Sequence, residues 1–212
     1  MTDLNAQVAG MSKAVLKMLE ISTEKMDCFD ESRNEKIQAF EIEVNRSQMR
    51  IDDLAWKIMA LYQPTATDLR TLIGAIKIAS DLERAGDAIC ALCRRAMTIS
   101  GMPWKNEPAI LFELEIMVRS LFKDGLTVLS TLDESLAESI FIADQTLNET
   151  FQLLFETIRA QMKAEPEHID VLLEYLAMGR SLERIGDLST NLAEVAVFMK
   201  KGQDVRHHGL SF

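Results

Sequence analysis

The sequence predicts an all-α fold built as two tandem three-helix bundles, and three observations carry that prediction. Apolar residues recur at spacings of three and four along almost the whole chain, the period of helices that each bury one face. Glycine and proline are scarce, nine and four in 212 residues, too few for the turns of a many-stranded β fold. A motif near the end of the first half returns in the second half exactly one hundred residues later, which marks an internal repeat.

The elements follow in order. Leu4, Val8, Met11, Val15 and Met18 alternate steps of four and three and define the first helix. The stretch Cys28 to Asn34 breaks that pattern and contains capping residues. A second stripe runs through Ile37, Phe40, Val44, Ile51, Leu54, Ile58 and Leu61. Pro64 stops it, because the residue before a proline avoids the helical region. A third helix begins among Thr65 to Asp68, which offer N-caps, and continues through Leu69, Leu72, Ile76 and Ala79 to about Met97. The segment SGMPWKNEP, residues 100–108, carries Gly101, Pro103 and Pro108 and is the linker. Its Trp104 is expected to pack between the halves. Three more helical stretches span roughly 109–131, 134–164 and 167–201, the last with Pro166 near its start. The two repeats are therefore 1–101 and 109–201, and residues 202–212 form a tail with no period that is expected to be loose.

The composition narrows the function. At 48% apolar and 26% charged residues the chain is globular. Its 33 acidic and 23 basic residues give a formal net charge of −10, and no run of Lys or Arg exceeds two. Such a surface repels nucleic acid and anionic lipid on average. The N-terminus lacks the basic and apolar regions of a signal peptide, and no stretch of 18 residues is free of charge. The expectation is a cytoplasmic protein with no direct membrane insertion and no nucleic-acid partner. Cys28, Cys90 and Cys93 are an odd number with no disulfide framework. Cys90 and Cys93 form a CxxC inside a helix with no second CxxC and no nearby His, so they read as small core thiols, with a zinc or redox site as the alternative.

The repeat places acidic groups at matched addresses. Leu82-Glu83-Arg84-x-Gly86-Asp87 returns as Leu182-Glu183-Arg184-x-Gly186-Asp187. At a slightly longer offset Ile37, Glu41, Val44 and Asn45 fall on Ile140, Asp144, Leu147 and Asn148, and Asp30 falls on Asp133. Residues four apart share a helix face, so Glu83 with Asp87, and Glu183 with Asp187, project as carboxylate pairs from the edge of an apolar stripe. Such like-charge pairs weaken a helix by roughly 0.2–0.5 kcal/mol, and burial without a partner costs far more. Compensation must come from a cation, an arginine or water. In an antiparallel hairpin of the second and third helices of each half, the two acidic features face each other. Glu41, Asn45, Glu83 and Asp87 then form one set, and Asp144, Asn148, Glu183 and Asp187 the other. Oxygen-only sets suit hard cations such as Mg, Mn, Ca or iron.

Competing readings exist for each feature. The acidic residues can be a plain solvated face, or can pair internally with Arg84, Arg180 or Arg184. Arg84 and Arg184 directly follow their Glu and point about 100° away from it, so they are placed to brace a neighbour. Gly86 and Gly186 each cost roughly 0.8–1.0 kcal/mol relative to Ala, which implies either close approach of a backbone or bound cluster, or close helix packing. Glu165-Pro166-Glu167-His168 is an ExxH that occurs once, whereas a ferritin-like di-iron bundle needs two on facing helices. No phosphate loop, nucleophile elbow or Ser/Cys–His constellation is present, so no catalytic group is assigned and the chain is not expected to be an enzyme.

Tandem three-helix repeats, each with Leu-Glu-Arg-x-Gly-Asp in its last helix, resemble the PhoU family of phosphate-transport regulators, over about residues 11–201. Gln63-Pro64 followed by Asp68-Leu69-Arg70, and Asp187 followed by Asn191-Leu192-Ala193-Glu194, add to the likeness. The chain departs from the family pattern at Ala88 and Leu188, where His often follows the motif Asp, and at Ala91, where Asn is expected. The resemblance implies a cytoplasmic, commonly dimeric, negative regulator of phosphate uptake. It implies divalent or trivalent metal ions or clusters on the acidic motifs, with iron, zinc, manganese and magnesium as candidates. It also implies contacts with the ATPase subunit of a phosphate ABC transporter and with a phosphate-sensing histidine kinase. The residues alone leave two alternatives: a carboxylate-bridged metalloenzyme or metal-storage bundle, and a metal-free helical adaptor.

Overall fold

The computed structural model describes residues 1–24, 29–203 and 205. It contains six long helices: α1 Thr2–Thr23, α2 Glu31–Tyr62, α3 Ala66–Ser100, α4 Ala109–Thr131, α5 Glu134–Ala164 and α6 Ile169–Lys201, the last preceded by a 3-10 turn at Pro166–His168. No strand occurs among the described residues. Cys28, His207 and His208 lie outside them.

Local chemistry fixes where the helices start and stop. The duplicated Asp30 and Asp133 are N-caps: Asp30 accepts from the Arg33 amide at 2.9 Å, and Asp133 from the Ser135 amide at 2.9 Å. Removing such a cap costs about 1 kcal/mol, which gives a plain structural reason for both aspartates. Gln63 leaves α2 in the left-handed region with Pro64 behind it. Gly202, at φ +74°, closes α6 through its amide to the Phe198 carbonyl at 2.8 Å. Lys200 and Lys201 in the last turn of α6 reach Glu134 in the first turn of α5, at 3.1 and 2.6 Å. These charges also suit the dipole at each helix end.

Each half is an up-down-up bundle, α1–α2–α3 and α4–α5–α6, and its core is the predicted apolar stripe. Leu4, Met11, Val15, Met18, Ile37, Val44, Ile51 and Leu72 are buried in the first half, and Leu111, Phe122, Ile140, Leu147, Leu154 and Leu172 in the second. Two predicted members fall outside the core. Leu61 is 74% exposed and Leu69 36%. The reason is length: α2 has 32 residues against 22 in α1, so it extends about 15 Å past the end of α1, where its stripe meets nothing. Trp104 packs against the core, and its ring stacks nearly parallel on His168 at 4.1 Å, so the linker is pinned to the entrance of α6.

The halves join chiefly through α3 and α6. They run antiparallel: Asn191 donates to Asp81 at 3.4 Å near one end of the contact, and Arg95 meets Glu174 at 3.1 Å near the other. That register sets residues 85–86 opposite 185–186. Because the motifs are one hundred residues apart, a pseudo-twofold axis passes through the two motifs themselves. On the far side, α4 lies so close to α6 that a Cβ at Gly125 would stand 3.3 Å from the Ser189 Cα and 3.2 Å from its carbonyl oxygen.

Gly125→Ala should therefore destabilise the protein by about 1–2 kcal/mol, because helix backbone cannot step aside. At Gly86 a Cβ would meet only Val44 and Met18 side chains, at 3.6 and 3.8 Å, so Gly86→Ala should be neutral or stabilise by up to about 1 kcal/mol. Chemical denaturation of the two variants checks both signs.

Candidate functional site

The site follows from the register just described. Glu83 and Asp87 lie on α3, Glu183 and Asp187 on α6, and the antiparallel register sets the two pairs at the same level of the crossing, each toward the middle helix of its own half. Each motif arginine reaches across. Arg84, bonded to Asp81 at 3.1 Å, lies close enough to Asp187 to favour its charge, and Arg184 does the same for Glu83. Arg180 bonds Glu183 at 3.0 Å and rests on the Phe151 ring. The predicted internal arginine pairing is thus present, partly within one helix and partly between the halves.

The hairpins α2–α3 and α5–α6 bring in the remaining predicted residues. In the second half Asp144 faces the α6 pair. Its Oδ2 accepts from the Asn148 amide at 3.2 Å, while its Oδ1 is buried with no hydrogen-bond partner. Burial pushes the Asp144 carboxyl up to about 6, the charge of Asp187 adds to the rise, Asn148 opposes it, and Glu183 adds further. Burial and the neighbouring Glu183 raise Asp187 as well, against Arg180 and Arg84. In the first half Glu41 faces the α3 pair and lies near the Cys90 thiol, whose ionisation its charge opposes. Glu83 is raised, first by burial and then by Asp87. Asn45 is exposed, one turn after Glu41, as Asn148 is one turn after Asp144.

The predicted carboxylates are therefore neighbours, but they are not drawn into a metal cage. Among the described residues no three His, Cys, Asp or Glu side chains stand close enough to hold an ion as they are. Like charges at this spacing separate unless a cation holds them, and Arg180 already occupies Glu183. The oxygen donor chemistry still suits a hard cation best in the second half, where Asp144 keeps a buried oxygen unanswered. Cys90 and Cys93 are buried, and burial drives the Cys90 thiol up to about 12 and Cys93 upward too. Protonated, enclosed thiols are poor metal ligands and poor nucleophiles.

Gly186 and Gly86 serve helix packing. A Cβ at Gly186 would press on Leu147 at 3.0 Å, whereas at Gly86 it would find ordinary contact distances. No second backbone approaches either one. The sequence reading missed Asp81, the half-buried carboxylate that receives both Arg84 and Asn191 and is itself raised by burial. Its signal was present: Asp81 precedes the motif by one residue and has no counterpart at Ser181.

Comparison with known proteins is consistent over the whole length. The PhoU domain matches twice, at residues 8–96 and 113–196. A relative from Burkholderia sp, described as a phosphate-specific transport system accessory protein PhoU homolog, is 31% identical over 205 residues, covering 95% of this chain and 87% of its own. The phosphate-specific transport system accessory protein PhoU of Escherichia coli (strain K12) is 29% identical over 97% of this chain and 86% of its own. The crystal structure of PhoU from Pseudomonas aeruginosa superposes with a TM-score of 0.91 at 25% identity, covering 95% of this chain and 97% of that one. The chain belongs to the PhoU domain family.

One consequence of the geometry is a pH signature. Folding raises the Asp144 carboxyl above its ordinary value of 3.8, so the folded state holds that proton more tightly and carries a penalty that builds above pH 3.8 and is complete above about 6. The penalty fades as pH falls from about 6 toward 3.8. Asp144→Asn, which mimics the neutral acid, should be more stable than the parent by about 1 kcal/mol at neutral to alkaline pH, a figure discounted for partial exposure. That advantage should vanish on acidification, as read from denaturation midpoints across a pH series.

Proposed function

We propose that this chain is a non-enzymatic accessory protein of phosphate-specific transport that restrains phosphate uptake when phosphate is plentiful. The observation that carries this reading is full-length agreement, in sequence and fold, with proteins named for that accessory role, together with the crossing of the duplicated motif helices at the centre of the fold. In this reading the protein works in the cytoplasm, commonly as a homodimer. It contacts the ATPase subunit of a phosphate ABC transporter and a phosphate-sensing histidine kinase. Among the described residues no helix is long and apolar enough to cross a membrane, so any contact with a transporter would be through its surface.

Metal binding belongs to the same proposal. Asp144, Glu183 and Asp187 would hold a hard divalent or trivalent cation in the second half, with Asn148 steadying Asp144. Glu41, Glu83 and Asp87, with Asn45 one turn after Glu41, would form the weaker counterpart, because no oxygen of that set is buried without a partner as Asp144 Oδ1 is. Bound there, a cation supplies the positive charge that these repelling carboxylates lack and ties the middle helix of a half to its last helix. The chain's own contribution is positional: Leu147 against Gly186 fixes α5 on α6, Arg180 and Arg84 limit the net charge, and Asp144 offers its unanswered oxygen.

The two parts of the proposal fail separately. Deletion of the gene should leave phosphate uptake unrestrained under phosphate excess, and unchanged control would end the regulatory reading. Elemental analysis of untagged protein should show less bound metal per chain in the variant Glu83→Ala, Asp87→Ala, Glu183→Ala, Asp187→Ala than in the parent. Equal metal content would overturn these carboxylates as the metal site, and no metal in the untagged parent would leave the protein as a metal-free helical adaptor.

A further inference from the structure

The crossing of α3 and α6 creates two pseudo-equivalent recesses, one on each side of the axis, and their charges are opposite. One is a cavity of about 310 Å³ lined by Asp87, Ala88, Ala91 and Arg94 from α3 and Arg180, Ser181 and Arg184 from α6. It gathers three guanidinium groups against one carboxylate. The repeat maps it onto Asp187, Leu188, Asn191 and Glu194 with Ser80, Asp81 and Arg84. That set has three carboxylates against one guanidinium and is closed by its own bonds, Arg84 to Asp81 at 3.1 Å and Asn191 to Asp81 at 3.4 Å. Leu188 and Asn191 also fill room that Ala88 and Ala91 leave open.

We infer that the Arg94–Arg180–Arg184 cavity is a binding site for a small polyvalent oxyanion of the phosphoryl type. In a chain of net charge −10, three arginines lining one open cavity against one lining carboxylate are a local concentration of positive side chains. Among the described residues neither Arg94 nor Arg184 forms an ion pair, and both are exposed, so their donors are available. Arg180 is held in place by Glu183 and the Phe151 ring. Planar guanidiniums match tetrahedral oxyanions by paired hydrogen bonds, and the Ser181 hydroxyl adds a neutral donor. Asp87 is the one carboxylate in the lining, while Glu183, bonded to Arg180, and Glu83, near Arg184, stand behind the arginines. The volume suits a phosphate or diphosphate group and not an enclosed nucleotide.

Isothermal titration calorimetry on metal-stripped protein, with inorganic phosphate and pyrophosphate in separate arms and sulfate as the arm matched for ionic strength, tests the site. Pyrophosphate or phosphate should bind, and Arg180→Ala or Arg94→Glu, which copies the charge found at position 194, should weaken binding at least about tenfold. Ser80→Ala, the equivalent position in the acidic recess, should leave affinity within about twofold. Arg94→Gln, a single exposed change, covers the case in which the charge reversal disturbs folding, with circular dichroism confirming native helix. Pyrophosphate binding alone assigns a diphosphoryl group, and binding of both assigns a single phosphoryl subsite. No binding in the millimolar range, equal binding of sulfate, or unchanged affinity in the arginine variants overturns the site.

Discussion

The antiparallel contact of α3 with α6 is the constraint on which the rest of this molecule depends. It joins the two bundles, and its register puts the duplicated motifs at the pseudo-twofold axis. Without it the four motif carboxylates would be two ordinary solvated pairs on separate helices. With it each pair gains a positive charge from the arginine of the opposite motif, Arg184 for Glu83 and Arg84 for Asp187. Ala85, Ile185 and the glycines at this level are buried, which brings charged side chains to the rim of a dry contact. The raised carboxyls of Asp144, Asp187 and Glu83 follow first from burial of each group, and Asp144 owes it to the packing of α5 on α6.

Most of the fold was legible in the residues, because helices of this length report themselves by period and by their ends. Asp30, Asp133, Pro64 and Pro166 mark boundaries within a residue or two of where the backbone turns. The hairpin geometry that sets Glu41 toward Glu83, and Asp144 toward Asp187, follows from seam positions alone. Leu61 and Leu69 read as core because periodicity carries no information on where a neighbouring helix ends. The partner of Trp104 was not legible for a related reason: a linker side chain has no period, and His168 is distant in sequence.

The inter-half geometry was the least legible part. Period and repeat identify the faces of α3 and α6, but not that the two helices run antiparallel with the motifs in register. Asp81 and its bond to Asn191 could not be found without that register. The unequal charges of the two recesses were visible as repeat mismatches, Arg94 against Glu194 and Arg180 against Ser80, yet a mismatch gains meaning only when the four positions are known to share a location.

That inequality has a consequence for how such a protein can evolve. An assembly of two identical subunits must place the same side chain on both sides of its dyad, so a charge gained at one face is gained at the other. Fusing the halves into one polypeptide lifts that restriction: each helix of the crossing can drift alone while the packing that needs both stays matched. The frame through Gly86 and Gly186 has kept its symmetry, and the positions one and two turns away have lost it, leaving the molecule with a polarity that a strict dimer could never acquire.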